Sequence, residues 1–124
     1  MSGNNYLLDT NIVLYLLSGD KILAEIIGAK VPYVSYITEM ELLGSPQLNS
    51  AEEKQVRNFL SACSVIEMNQ EIKQSAIQIR RKSGLKLPDS IIAASAEYTG
   101  VSLLTADTDF NKLKSLNILQ YKKI

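Results

Sequence analysis

The apolar positions of this chain change period along its length, and the changes mark the elements. Residues 5–8 form a short apolar run that ends on Asp9 and reads as a first strand. Residues 10–18 hold Ile12, Val13, Tyr15, Leu16 and Leu17, which predicts a mostly buried helix; Gly19 and Asp20 break it. Ile22, Leu23, Ile26 and Ile27 predict a second helix over 21–28, with Gly28 at its C-terminal end. β-Branched and aromatic residues over 31–36 predict a second strand, followed by a short helix over 38–44. Residues 49–63 carry an apolar stripe of Val56, Phe59 and Leu60, and Ser50 with Glu53 makes a capping-box pattern at the start. A third strand is expected over 64–68. Asn69 suits the cap of a helix over 70–83, in which Ile72, Ala76 and Ile79 recur at helical spacing until Gly84 ends it. Leu87-Pro88 opens another helix, with proline near its first turn, that runs to about Gly100. A fourth strand over 101–104, a short helix near 109–115 and a strand near 117–121 complete the chain.

Strands that alternate with helices predict a three-layer α/β fold: a mainly parallel sheet of about four or five strands, flanked by helices. The length of 124 residues suits a single domain spanning 1–124. The loop at 44–50 is too short to divide it. A hydrophobic content of 46% excludes a disordered chain. The apolar runs are too short to span a membrane, and no basic region leads into an apolar signal core. A soluble, cytoplasmic protein is the expectation. Cys63 is the single cysteine, which fits a reducing compartment, and its place predicts a small core residue at the end of a helix.

Charge and composition narrow the chemistry. Thirteen basic and 13 acidic residues cancel, so the total does not indicate a strongly basic nucleic-acid binder. Histidine is absent. That removes the commonest general base near neutral pH, the Ser-His-Asp and Cys-His constellations, and almost all structural zinc sites. An enzyme built from this chain would work with carboxylates, hydroxyls, lysines or a hard metal.

Four acids stand at element junctions: Asp9, Glu41, Asp89 and Asp107. Helix capping alone accounts for Asp9, although Thr10 or Asn11 can do the same work. Glu41 shares a helix face with Thr38, three residues before it, while Glu39 points elsewhere; spacing does not decide which glutamate faces a cleft. Asp89 favours the dipole of the helix it opens, yet Ile92, Ala93 and Ala96 place it on an apolar, small-residue face. Asp109 is the better cap for the helix starting near Phe110, which leaves Asp107 without an evident structural duty. In a parallel sheet these junctions share the carboxyl edge of the strands, where such sheets hold ligands. Acids that converge there without a basic partner repel one another. A hard divalent cation relieves the repulsion, and oxygen-only ligands suit Mg²⁺ or Mn²⁺.

The segments Leu7-Leu8-Asp9-Thr10-Asn11, Thr38 with Glu41-Leu42, Leu87-Pro88-Asp89, and Leu104-Thr105-Ala106-Asp107-Thr108-Asp109-Phe110 resemble the motifs of PIN domains in order and spacing. The nearest resemblance is to the small VapC-type toxins of toxin–antitoxin systems, and it covers essentially the whole chain. It implies a Mg²⁺- or Mn²⁺-dependent ribonuclease that is commonly dimeric and inhibited by an antitoxin protein. Asp9, Glu41, Asp89 and Asp107 match the acidic catalytic and metal site. Asp109 matches a more variable acidic position, and Thr10, Asn11 and Thr105 match supporting polar positions.

RNA approaching acids needs cations nearby. The dense basic stretch is Lys73, Arg80, Arg81, Lys82 and Lys86, and the last four are the candidate RNA-binding residues; a solvated helix end explains each equally well. Lys122 and Lys123 read as a polar tail. The apolar positions of the first two helices, with Ile72 and Ile79, are numerous for one small core and predict a homodimer. The alternative function is a noncatalytic PIN-like module that binds RNA or protein. A phosphotransferase with Asp9 as nucleophile would need a second aspartate at the position of Asn11.

Overall fold

The computed structural model describes residues 5–124. Five strands form one all-parallel sheet in the order β3-β2-β1-β4-β5. They are β1 (Tyr6–Leu8), β2 (Tyr33–Ser35), β3 (Ser64–Ile66), β4 (Ser102–Thr105) and β5 (Ile118–Gln120). Six α-helices join them: α1 (Thr10–Leu17), α2 (Lys21–Ile27), α3 (Tyr36–Leu43), α4 (Ser50–Ser61), α5 (Gln70–Ser83) and α6 (Leu87–Thr99). A short 3₁₀ turn at Thr108–Lys112 stands between β4 and β5, where the sequence predicts a helix.

The central strand explains the layers. Leu7 and Leu8 are both fully buried, because a parallel strand is covered on both faces and successive side chains point opposite ways. Leu8 packs with Ile12, Val13, Leu23, Val34, Val56, Leu60 and Leu104 on the side of α1, α2 and α4. Leu7 packs with Ile92, Ala93, Ala96, Leu103 and Phe110 on the side of α6. Helix α5 lies outside α6 and closes a third cluster through Ile72, Ala76, Ile91 and Ala94. That sandwiching buries every residue of α6 from Ser90 to Ala96. Ile72 and Ile79 therefore belong to the protein's own core, and the case for a homodimer loses that part of its support.

Several local readings shift by a residue or two. Tyr36 opens α3 rather than ending β2, because the Ser35 hydroxyl accepts from the Ile37 N–H and caps the helix there. The capping box of α4 is Asn49 with Glu52, not Ser50 with Glu53; both reciprocal bonds form, at 2.8 and 3.1 Å. Asn69 caps α5 as expected, and Gly84 ends it with φ 74°. That left-handed turn, which glycine adopts at little cost, swings the chain directly into α6. Cys63 is half-buried beyond the end of α4, and burial pushes its thiol up to about 11. Lys123 is more than tail: its Nζ lies 3.5 Å from Asp20 and 5.0 Å from the Tyr15 ring centroid. Among the described residues no helix is long and apolar enough to cross a membrane.

Candidate functional site

The strand order reverses direction about β1, since β2 and β3 lie to one side and β4 and β5 to the other. Ligand crevices of open α/β sheets form at the carboxyl edge beside such a switch. Here β1 ends on Asp9, whose backbone N–H donates to the Leu104 carbonyl at 3.0 Å. The last sheet bond thus holds Asp9 against the end of β4. Around it, Asp9, Thr10, Asn11, Glu41, Asp89 and Asp107 line a cleft of about 280 Å³. All four acids singled out by the sequence come together there.

Asp9 is the most constrained of them, at 5% exposure. Its Oδ1 accepts from the Thr10 N–H at 2.8 Å, and its Oδ2 accepts from the Thr105 hydroxyl at 2.7 Å. Each oxygen keeps a second lone pair for a ligand. Thr105, fully buried, accepts in turn from the Asp107 N–H at 2.9 Å. One hydroxyl therefore sets both the Asp9 carboxylate and the backbone that carries Asp107.

Asp107 has a structural duty that the sequence reading missed. Its Oδ1 accepts from the Asp109 N–H at 2.8 Å and caps the 3₁₀ turn. Asp109, expected to be the cap, is exposed in the first turn and does not line the cleft. The reversal arises because the turn begins at Thr108, directly after Asp107, so the Asp107 carboxylate reaches the N–H two residues on in an Asx-type bond.

The glutamate question is settled by a hydroxyl pair. The Thr10 hydroxyl donates to Glu41 Oε1 at 2.7 Å and lies 2.9 Å from the Thr38 hydroxyl. With its one proton committed to Glu41, Thr10 must accept from Thr38. Glu41 thus lines the cleft and Glu39 does not. Thr38, fully buried, is a positioning residue absent from the candidate site read in sequence. Its place on the Glu41 face of the helix was the available signal.

Asp89 enters from the first turn of α6. Burial, followed by the charges of Asp9, Asp107 and Glu41, raises its pKa to about 6, against a smaller opposing effect of Lys86. Asp9 is also raised, chiefly by burial; the bonds from Thr105 and Thr10 act the other way, and Asp107 and Glu41 push it further up. Among the described residues no three acids form a ready-made metal cage. The donor set nonetheless fits a hard cation in its chemistry: only oxygens, mutual repulsion, and lone pairs left open on a pinned carboxylate.

The basic stretch divides. Lys86 stands close enough to act on Asp89. Arg80 Nη1 donates to the Leu85 carbonyl at 2.8 Å and braces the turn between α5 and α6. Arg81 is exposed on α5, and Lys82 lines a different groove.

Comparison with known proteins supports the fold. The sequence profile of the PIN domain matches residues 6–116. The chain belongs to the PIN domain family. Among solved structures, this PIN domain is similar to a chain of a toxin–antitoxin complex from Klebsiella pneumoniae, with 30% identity and a TM-score of 0.82 over 96% of this chain and 99% of that one. A chain of VapBC-1 from nontypeable Haemophilus influenzae is 26% identical, with a TM-score of 0.76 over 96% and 99% of the two chains. A chain of DNA-bound VapBC from Salmonella typhimurium, at 21% identity, shares the fold, with a TM-score of 0.78 over 94% and 97%. No curated protein sequence gives a match.

Proposed function

We propose that this PIN domain is a ribonuclease of the VapC type, dependent on Mg²⁺ or Mn²⁺, and the toxin of a toxin–antitoxin pair. The observation that carries the reading is the convergence of Asp9, Glu41, Asp89 and Asp107 on one cleft in a chain without histidine. Asp9, Asp89 and Asp107 would hold the cation, with Glu41 completing the site. The cation would supply the Lewis acidity toward water and leaving oxygen that no side chain of this protein provides. The protein's own work is placement. Thr105 and the Thr10 N–H fix Asp9, the Thr38–Thr10 pair aims Glu41, and the cap on the 3₁₀ turn fixes one oxygen of Asp107. Asn11 lines the cleft and offers an amide to a phosphate oxygen.

An antitoxin partner follows from the relatives, which are parts of toxin–antitoxin complexes. A groove of about 560 Å³ lined by Leu14, Leu17, Leu42, Leu48 and Val56 shares Thr10 and Glu41 with the cleft. An apolar segment of an inhibitor seated there would cover the cleft mouth. The domain acts in the cytoplasm and as a homodimer, for which exposed Ile22 and Met40 supply apolar surface.

The test is cleavage of RNA by the purified chain with Mg²⁺, with Mn²⁺ and in excess chelator, beside Asp9→Asn. Cleavage by the parent with metal alone, and none by the variant, is the expected result. Full activity in chelator, or an active variant, overturns the metal mechanism. Sedimentation at micromolar concentration tests the dimer, which a monomeric mass refutes.

A further inference from the structure

Away from the acidic cleft, a second groove of about 600 Å³ runs between α5 and residues 112–115. Lys82 in the last turn of α5 meets Lys112 and Lys114 there, with Gln78 and Ser115 beside them. Only one acid, Glu97, lines the same groove, and its Oε1 already accepts from the Ser75 hydroxyl at 2.7 Å. The lysines come from segments distant in sequence, so the concentration of charge is a product of the fold. All three are exposed, and none makes an ion pair or a hydrogen bond among the described residues. In a chain of zero net charge, three unpaired cations against one occupied acid make a local positive field.

We propose that this groove is a phosphodiester-binding track for single-stranded RNA, with Lys82, Lys112 and Lys114 as its phosphate contacts. The choice of RNA rests on the ribonuclease reading; the charge and shape of the groove do not. A groove with ammonium groups on both walls, Lys82 from α5 and Lys112 and Lys114 from the facing segment, suits successive phosphates better than one small anion, which needs converging donors. The Ser115 hydroxyl and the Gln78 amide provide uncharged hydrogen bonds to the same backbone, the Ser75 and Ser83 protons being committed to Glu97 and to the Ile79 carbonyl. From Lys82 the chain passes through the α5–α6 turn into the helix whose first turn carries Asp89. The acidic cleft cannot attract a polyanion by itself, so a cationic track elsewhere on the domain, with no lining residue in common with the cleft, performs the capture that the acids oppose.

The experiment measures binding of a labelled single-stranded RNA in chelator, so that binding is read without cleavage, across a salt series. The triple variant Lys82→Gln, Lys112→Gln, Lys114→Gln is compared with a charge-matched control, Lys21→Gln, Lys30→Gln, Lys54→Gln. Each phosphate contact on a single strand contributes about 0.7 to the slope of log affinity against log salt. The groove variant should therefore lose ~2 from that slope and bind more than about tenfold more weakly at low salt, while the control stays near the parent. DNA of the same sequence should show the same loss, since phosphate is the shared group. An unchanged slope in the groove variant, or an equal loss in the control, overturns the proposal. Melting temperatures of all three proteins keep a folding defect from imitating the result. If the parent binds RNA through the groove but cleaves none with metal, the ribonuclease reading fails and the groove stands. If cleavage is intact and the triple variant binds as the parent does, the groove fails and the ribonuclease reading stands.

Discussion

Thr105 Oγ1 donates to Asp9 Oδ2 at 2.7 Å across a separation of 96 residues, and no other hydroxyl reaches that oxygen among the described residues. The bond is buried and its acceptor is ionisable, so it ranks with the stronger hydrogen bonds. Thr105→Val keeps the shape and removes the donor. It should cost about 2 kcal/mol of stability, raise the Asp9 pKa further, because that bond lowers it, and reduce cleavage at least tenfold. Thr105→Ser, which keeps the hydroxyl, should recover most of the activity. Chemical denaturation and initial rates on the three proteins check this; an active valine variant would remove the bond from the mechanism.

Asp89 offers a pH test with a definite sign. Its folded pKa, about 6, lies above the ordinary 3.8, so ionisation destabilises the metal-free fold. The cost begins as pH rises through 3.8 and is complete above about 6. Asp89→Asn should therefore melt a few degrees higher than the parent at pH 7.5 without metal, with a gain that disappears in acid below the ordinary value. Asp107→Asn should also melt higher than the parent at neutral pH, because it removes the charge that acts against Asp9 and Asp89 while asparagine caps the 3₁₀ turn as well as aspartate does. Both should lose cleavage, and added Mg²⁺ should stabilise the parent more than either variant. Variants that melt lower at neutral pH and still cleave would show that these aspartates are structural.

The Thr38–Thr10–Glu41 series predicts a remote effect. Thr38 touches no cleft surface, yet its proton fixes the direction of the Thr10 hydroxyl. Thr38→Val should lower stability by about 1 kcal/mol and reduce the rate of cleavage roughly three- to tenfold with little change in RNA affinity. The affinity half of the statement is the sharper one. A variant that binds RNA weakly and turns over normally contradicts it.

Outside the cleft, Asp20 caps α2 and accepts from the Tyr121 hydroxyl at 2.8 Å. Its pKa is lowered, first by the Leu23 N–H and then by Tyr121 and Lys123. A depressed carboxylate stabilises the fold above its ordinary pKa, and that stability is lost as pH falls through the folded value. Asp20→Ala should lower the melting temperature at neutral pH, with a difference that narrows in acid. Tyr121→Phe should do the same to a smaller extent, because the ring keeps its contact with Tyr15. Cleavage should be unaffected in both.

Local physics carried much of this into the sequence. Apolar periodicity placed the strands and helices, since burial on both faces of β1 demands Leu7 and Leu8 together and a sandwiched α6 demands Ile91 to Ala96. The position of Asp9, Glu41, Asp89 and Asp107 at element ends was enough to suggest a shared edge. Other features depend on contacts between distant segments. Sequence spacing left Glu39 and Glu41 open, and only the approach of Thr10 to α3 chose between them. Asp107 was misjudged as free of structural duty because its cap depends on where a 3₁₀ turn begins, a difference of one or two residues in weak local preferences. The basic stretch was legible as charge, but its partition was not. Arg80 is drawn to the Leu85 carbonyl by the turn it braces, and Lys82 meets Lys112 and Lys114 only because β4 and β5 bring that loop alongside α5. Periodicity is a property of neighbours along the chain; hydrogen-bond choice and charge clustering belong to neighbours in space, and those exist only after the sheet has closed.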